Sequence, residues 1–148
     1  SWIKMESPRQ IPWTPLKKAL SDCTVALISS GGIALKTDRP FDQERERQNP
    51  WWGDPSYRVI PHATSTDQIR VYHQHIDASF AERDLNCLLP LNRLKELAED
   101  NVIGRTAPSH YSFMGYILDP KELIEQSVPG MIRSLQEEAV DIVVLVPA

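Results

Sequence analysis

Apolar positions along the chain fall into a few short, well-separated runs. Cys23 to Ser30 (CTVALISS) is apolar and β-branched and is closed by Gly31-Gly32, a pattern that predicts a buried strand followed by a tight turn. Thr37 to Gly53 (TDRPFDQERERQNPWWG) mixes charges, prolines and two tryptophans without period, which predicts a long loop. Long loops inside compact domains tend to carry function. Tyr57 to Pro61 reads as a short strand. Ile69 to His75 (IRVYHQH) reads as another, ending in a His-rich turn. Pro90 opens a helix with Leu91, Leu94, Leu97 and Ala98 at helical spacing and Asp100-Asn101 at its end. Val102 to Thr106 is strand-like. Asp119-Pro120 then pairs an N-cap with a proline at the first helical position, and Ile124, Val128, Met131, Ile132, Leu135 and Ala139 form one apolar face. Pro129-Gly130 interrupts that face, so the helix is either kinked or broken there. Asp141 to Val146 (DIVVLV) is continuous and β-branched, as strands covered on both faces are, and is expected to be central.

Strands alternating with helices predict an α/β fold, a mostly parallel sheet flanked by helices. Residues 1–20 read as an irregular, extended N-terminal arm and 21–148 as the α/β domain. Six of the prolines (Pro8, Pro12, Pro15, Pro40, Pro50 and Pro55) lie in the first third, which is expected to be largely irregular. Trp2 and Trp13 would bury large apolar areas, so the arm is expected to pack on its own domain. Ligands of parallel sheets bind beyond the carboxyl ends of the strands. That rule selects three places: Ser29-Ser30-Gly31-Gly32, the His73 to Asp77 turn, and the residues after Val146.

Composition narrows the function classes. The chain has 148 residues, 41% hydrophobic and 24% charged, the balance of one soluble globular domain. A net charge of −4 gives no electrostatic reason to bind nucleic acid or an anionic membrane. Ile142 to Val146 is the longest apolar run, far short of the roughly 20 residues a membrane span requires. The N-terminus has no signal-peptide core, so a cytoplasmic location is expected. Cys23 and Cys87 are too few for a disulfide framework or a structural zinc site. Their apolar neighbours mark both as inert core thiols.

The strand exits carry the candidate chemistry. Ser30, Gly31 and Gly32 offer hydroxyls and backbone N–H groups suited to a carboxylate or phosphate, although the spacing matches neither a dinucleotide fingerprint nor a P-loop. A plain strand-exit turn explains them equally well. His73 and His75 share one face if the strand continues through them. They could then ligate a metal or act as acid and base, with Asp77, Asp84 and Asn86 close by. A polar loop hydrogen-bonded to itself is the simpler account, and no metal site is assigned. His110 is a further available imidazole. Asp42 to Arg47 reads as a solvated loop face.

Several stretches together resemble the selenoprotein B family of glycine/sarcosine/betaine reductases and D-proline reductase, in its short bacterial form. They are ISSGGIALKTDRPFD (28–42), GDPSYRVIP (53–61), HQHID (73–77), DLNCLLPLNRLKELAEDNVIG (84–104), SHYSFMG (109–115) and VDIVVLVPA (140–148). They cover most of residues 24–148 in the family's order. The resemblance implies a reductase that breaks a carbon–nitrogen bond in an amino acid or related amine. It implies a Cys or selenocysteine segment, a pyruvoyl group on a partner polypeptide formed by self-cleavage, and a dithiol or thioredoxin-type reductant. In the family pattern LVPA runs into a Cys-Pro-x-Cys type segment, so the reacting group is expected beyond Ala148, on the same precursor or on a second chain.

The expected roles follow. His75, Asp77, Asp84 and Asn86 orient the substrate or the reacting group, with His75 and Asp77 closest to the chemistry. Asp84 and Asn86 join Ser30, Gly31 and Gly32 in substrate binding, where the turn holds a substrate carboxylate through its N–H groups. His110 donates a proton to the leaving amine. Partners are an amino-acid-like small molecule, a second polypeptide and a thiol reductant, in an oligomer. A binding or assembly module keeping the family fold is the alternative. A metal hydrolase using His73 and His75 is the weaker one.

Overall fold

The β-branched run after Cys23 forms β1 (Thr24–Ser29), and the main sheet is built around it. A computed structural model describes residues 14–49 and 51–148. Along one edge β1 pairs in parallel with β7 (Ile142–Val146), from Val25↔Ile142 to Ser29↔Val146. Along the other it pairs in parallel first with β5 (Arg105–Thr106) and then with β6 (Ser109–Phe113). β3 (Tyr57–Pro61) closes that side antiparallel to β6. A separate antiparallel ladder joins β2 (Ile33–Leu35) to β4 (Ile69–Val71). The fold is therefore α/β with a mostly parallel sheet, as the alternation predicts.

Ala107-Pro108 separates β5 from β6. Ala107 N–H still donates to Val25 O at 2.8 Å, but the next rung is made by a side chain: Leu27 N–H donates to Nδ1 of His110 at 3.0 Å. β1 is thus kept paired across the break.

The helices pack as their apolar spacing directs. α2 (Ser79–Arg83) is short, and α3 (Leu91–Glu99) buries Leu91 and Leu94 against Val25, Leu27, Ile60 and Ile103. Asn101, at φ 58°, turns the chain out of α3, a left-handed conformation that asparagine tolerates. Before Pro129 the last helix takes a π turn over Leu123–Ser127 and continues without a break as α4 (Val128–Glu137). The wider turn accommodates the missing N–H of proline. Met131 is the fully buried member of its apolar face, whereas Ile124 and Ile132 are exposed.

Four expectations change. β7 is not central: β1 takes that place because it has a partner on each edge, while β7 pairs only with β1 among the described residues. Val144 and Leu145 accordingly stay 42% and 72% exposed. The 37–53 loop contains a helix, α1 (Gln43–Gln48), capped by Asp42, whose side chain accepts from Arg45 N–H. The strand from Ile69 stops at Val71, so His73 and His75 lie in a turn rather than on one face of a strand. Cys23 is buried as expected, but Cys87 is exposed on the 3-10 turn Leu85–Cys87.

In the predicted arm, residues 14–19 are exposed and irregular up to a 3-10 turn at Leu20–Asp22. Trp2 and Trp13 lie outside the described residues. No helix among the described residues is long and apolar enough to cross a membrane.

Candidate functional site

At the carboxyl end of β1 the chain turns at Ser30-Gly31-Gly32, and three neighbouring strand exits converge on it. Ser30 N–H donates to Val146 O, joining the end of β7, and Ala148 N–H donates to Ser30 Oγ at 2.9 Å. Gly32 N–H donates to Phe113 O at the end of β6, while Gly32 O accepts from Tyr72 N–H beyond β4. Glycine is required at this crossing. Gly32 has φ +61°, and a Cβ there would lie 2.6 Å from the sulfur of Met114 and 3.1 Å from the His73 nitrogen. The three places selected by the strand-end rule are one place in the fold.

The turn's N–H groups are not free, since Gly31 N–H donates to Ser29 Oγ and the other two are engaged as above. A substrate carboxylate held by these N–H groups is therefore not available, because the sheet itself consumes them. Ser30 Oγ, which accepts from Ala148, keeps its own proton to donate.

α1 supplies a residue that the sequence pattern hides. Phe41 packs edge-on against Tyr72, with ring centroids 5.6 Å apart, in a small core with Ala34 and Met114. Gln43 Nε2 donates to Tyr72 O at 2.6 Å, which pins the first turn of α1 to the exit of β4. Glu46, three residues on, shares that inward face. It is only 5% exposed, not a solvated loop residue. Its Oε2 accepts from Gln74 Nε2 at 3.0 Å, and its Oε1 is 3.9 Å from Nε2 of His75 and has no hydrogen-bond partner. Burial raises the Glu46 pKa above the ordinary carboxylate value, against the opposing effects of Gln74 and His75.

The imidazole of His75 is about half exposed (52%) and lies 4.3 Å, centroid to centroid, from the ring of Tyr116. Tyr116 is carried there by the exit of β6. Glu46, Arg47, Gln74, His75 and Tyr116 together line a cavity of about 190 Å³. His73 backs the group from the buried side: its Nδ1 accepts from His75 N–H at 3.2 Å, and burial lowers its pKa, with His75 adding to the effect. One imidazole nitrogen of His73 is thus committed to shaping the turn. Among the described residues, no group of three or more His, Cys, Asp or Glu is arranged to hold a metal ion.

The remaining predicted residues lie elsewhere. Asp77 accepts from Ser79 N–H at the start of α2, and hydrogen bonds from Ser79 hold its pKa down. Asp84 accepts from both nitrogens of Asn86, which lowers its pKa, and Asn86 Oδ1 accepts from Asn92 N–H in the first turn of α3. These three side chains serve turns and helix starts. His110 is fully buried within the sheet rather than at its carboxyl edge, and desolvation lowers its pKa to about 4. Neither cysteine lines the cavity.

A larger cavity of about 480 Å³ lies on the loop side of α1, lined by Arg39, Arg45, Asp54 and Arg58 among others. Its polar groups are largely engaged. Asp54 accepts from Asp42 N–H and from Ser56, while Arg58 donates to Arg39 O and Pro40 O and covers the Phe41 ring at 4.1 Å. This network holds the loop that carries α1.

Residues 2–148 match the family model for glycine/sarcosine/betaine reductase selenoprotein B. The chain is 37% identical over 133 residues to D-proline reductase subunit gamma of Acetoanaerobium sticklandii, covering 90% of this chain and 52% of that protein. It is 29% identical over 113 residues to the glycine reductase complex component B subunit gamma of Carboxydothermus hydrogenoformans, covering 76% of this chain and 25% of that protein. The chain therefore spans about half the length of the first relative and a quarter of the second. No solved structure matches.

Proposed function

Because the chain belongs to the glycine/sarcosine/betaine reductase selenoprotein B family, whose curated relatives are subunits of reductases, we propose that it forms the substrate-holding part of such a reductase. The observation that carries this reading is the buried carboxyl of Glu46, with Oε1 unpartnered beside His75, at the point where the strand ends converge. A scaffold needs only the apolar pattern. A buried carboxyl without a full set of partners costs stability, so keeping one at the strand ends favours a site.

The substrate is a small amino acid or related amine. Ser30 Oγ donates to its carboxylate, with Gly31 and Gly32 allowing the close approach. His75 and Glu46 hold and move a proton at the nitrogen. The reacting thiol, selenol or pyruvoyl group comes from residues beyond Ala148 on the same precursor or from a second chain. When present, that group supplies the reductive chemistry. Cleavage of the C–N bond consumes two electrons and two protons, forming a C–H and an N–H bond, so that an open-chain substrate releases its amine and a cyclic one opens with the amine still attached, while a dithiol is oxidised to a disulfide.

The test is assembly of the chain with its complex, followed by assay of C–N cleavage with dithiothreitol as reductant, read as amine release from glycine, sarcosine and betaine and as ring opening of D-proline to linear 5-aminopentanoate. Reductant-dependent cleavage of one of them, abolished by His75→Ala with the fold retained, is expected. Absence of cleavage of all four overturns the reading. Intact mass with a carbonyl-reactive probe reports separately on self-cleavage: a single unlabelled polypeptide removes self-cleavage of this precursor as the source of a pyruvoyl group.

A further inference from the structure

The cavity beside Glu46 has a polarity that the turn residues do not share. Glu46 Oε1 is buried and unpartnered, and among the described residues the basic side chain nearest it in an ion-pair contact is His75, at 3.9 Å. Arg47, a cation on the rim, is 62% exposed and turns toward Glu44 at 3.8 Å. Asp54 adds a second negative field on the far side of α1. His75 and Tyr116 line the remaining wall with π surface. A carboxylate at one end and aromatic rings along the side are the components that bind alkylammonium groups, by ion pairing and by attraction to the ring quadrupole.

We infer that the cavity between Glu46, His75 and Tyr116 is the subsite for the cationic nitrogen of the ligand, with Glu46 as the counter-charge. The inference rests on the reading of the strand ends as a substrate site and assigns its charge polarity: ammonium toward α1, carboxylate toward Ser30. A bound cation supplies the partner that Oε1 lacks. It also favours the ionised carboxyl, so binding strengthens as pH rises through the Glu46 pKa.

The experiment titrates the full chain with tetramethylammonium and, separately, with tert-butanol, an uncharged molecule of the same shape. The imidazole signals of His75 and the ring signals of Tyr116 are followed by NMR. Tetramethylammonium should shift both rings and tert-butanol neither. Glu46→Gln, an isosteric change that keeps the packing, should weaken the cation by about tenfold. Tyr116→Leu should weaken it less, with the fold unchanged by circular dichroism. Equal binding of the two probes, an undiminished cation affinity in Glu46→Gln, or no shift at either ring overturns the subsite. Turnover by the assembled reductase that survives Glu46→Gln also overturns it and leaves the reductase reading standing. Failure of the wild-type complex to turn over removes that reading while the probe result stands on its own.

Discussion

Oε1 of Glu46 lies 3.9 Å from Nε2 of His75, one partner buried and the other half in solvent. A carboxyl whose pKa burial raises, next to an imidazole open to solvent, is an arrangement that can take up and release a proton during a reaction.

Replacing Glu46 by Gln separates its chemical role from its structural one. The amide fills the same volume without a buried ionisable group. Because burial holds the folded-state pKa above the unfolded value, ionising Glu46 costs stability as pH rises from the ordinary carboxylate range through the folded pKa. The variant should therefore be at least as stable as the wild type at neutral pH, with the difference vanishing in acid, while turnover of the assembled reductase falls by about 10²-fold or more. Urea titrations at two pH values and an assay of C–N cleavage check the two halves. A variant that loses both stability and activity assigns Glu46 to the fold alone.

His110 sets an acid limit. Its pKa is lowered to about 4, first by desolvation, so the unfolded chain binds a proton more readily than the folded one between about pH 6.5 and 4. Stability is full above the unfolded pKa and falls as pH drops through that window, by roughly 3 kcal/mol at about 1.4 kcal/mol per unit. His110→Phe should flatten this dependence. It also leaves Leu27 N–H unpaired inside the sheet, at a cost of about 1–3 kcal/mol at pH 7. Denaturant midpoints measured from pH 4 to 8 on both proteins give the slope, and a wild-type curve without acid loss rejects the account.

Much of the sheet was legible because β-branched runs such as Thr24–Ser29 and Tyr57–Pro61 announce themselves through local composition. The strand-end rule likewise pointed to turns that the fold brings together around Gly32. What local pattern could not show was pairing. Ile142–Val146 has the composition of a central strand, yet its place depends on which edges of β1 are already filled by β5 and β6. Glu46 escaped for a related reason. In Gln43–Gln48 every residue is polar, so no periodicity reveals the inward face. That face is set by the Gln43 bond to Tyr72 O, a contact between residues far apart in sequence. The available signal was the capping aspartate, Asp42, with Arg45 three residues on.

The two cysteines should differ in reactivity. Cys23 is fully buried and its thiol donates to Ala19 O, whereas Cys87 is exposed. Native protein treated with iodoacetamide should gain one carbamidomethyl group, at Cys87, and denatured protein two. Peptide mapping identifies the residue. Fast labelling of Cys23 in the native state contradicts its placement under β1. Neither cysteine lines the cavity, so alkylation at Cys87 should leave tetramethylammonium binding intact.

Gly53 offers a way to move the site without touching a polar group in it. A Cβ at this position would overlap the carbonyl oxygen of Tyr116 and come within 2.8 Å of the Ile117 side chain. Backbone cannot yield as a flexible side chain can, so Gly53→Ala must push the loop before β3 away from the exit of β6. The loop is otherwise tied to β3 by Arg58, which donates to Ser56 Oγ, and to α1 by Asp54, which accepts from Asp42 N–H, so the displacement passes to both walls of the cavity. The expected cost is about 1–3 kcal/mol of stability, typical of overpacking. A loss of cation binding larger than that of Tyr116→Leu should accompany it, because the alanine shifts Tyr116 and α1 together. Gly104→Ala is the control: its Cβ would press on Asp22 and Cys23 at 2.7–3.0 Å, at the opposite end of β1. It should lower stability comparably and leave binding unchanged in the folded protein. Equal binding losses in the two variants would show that the cavity responds to general destabilisation and not to the Gly53–Tyr116 contact.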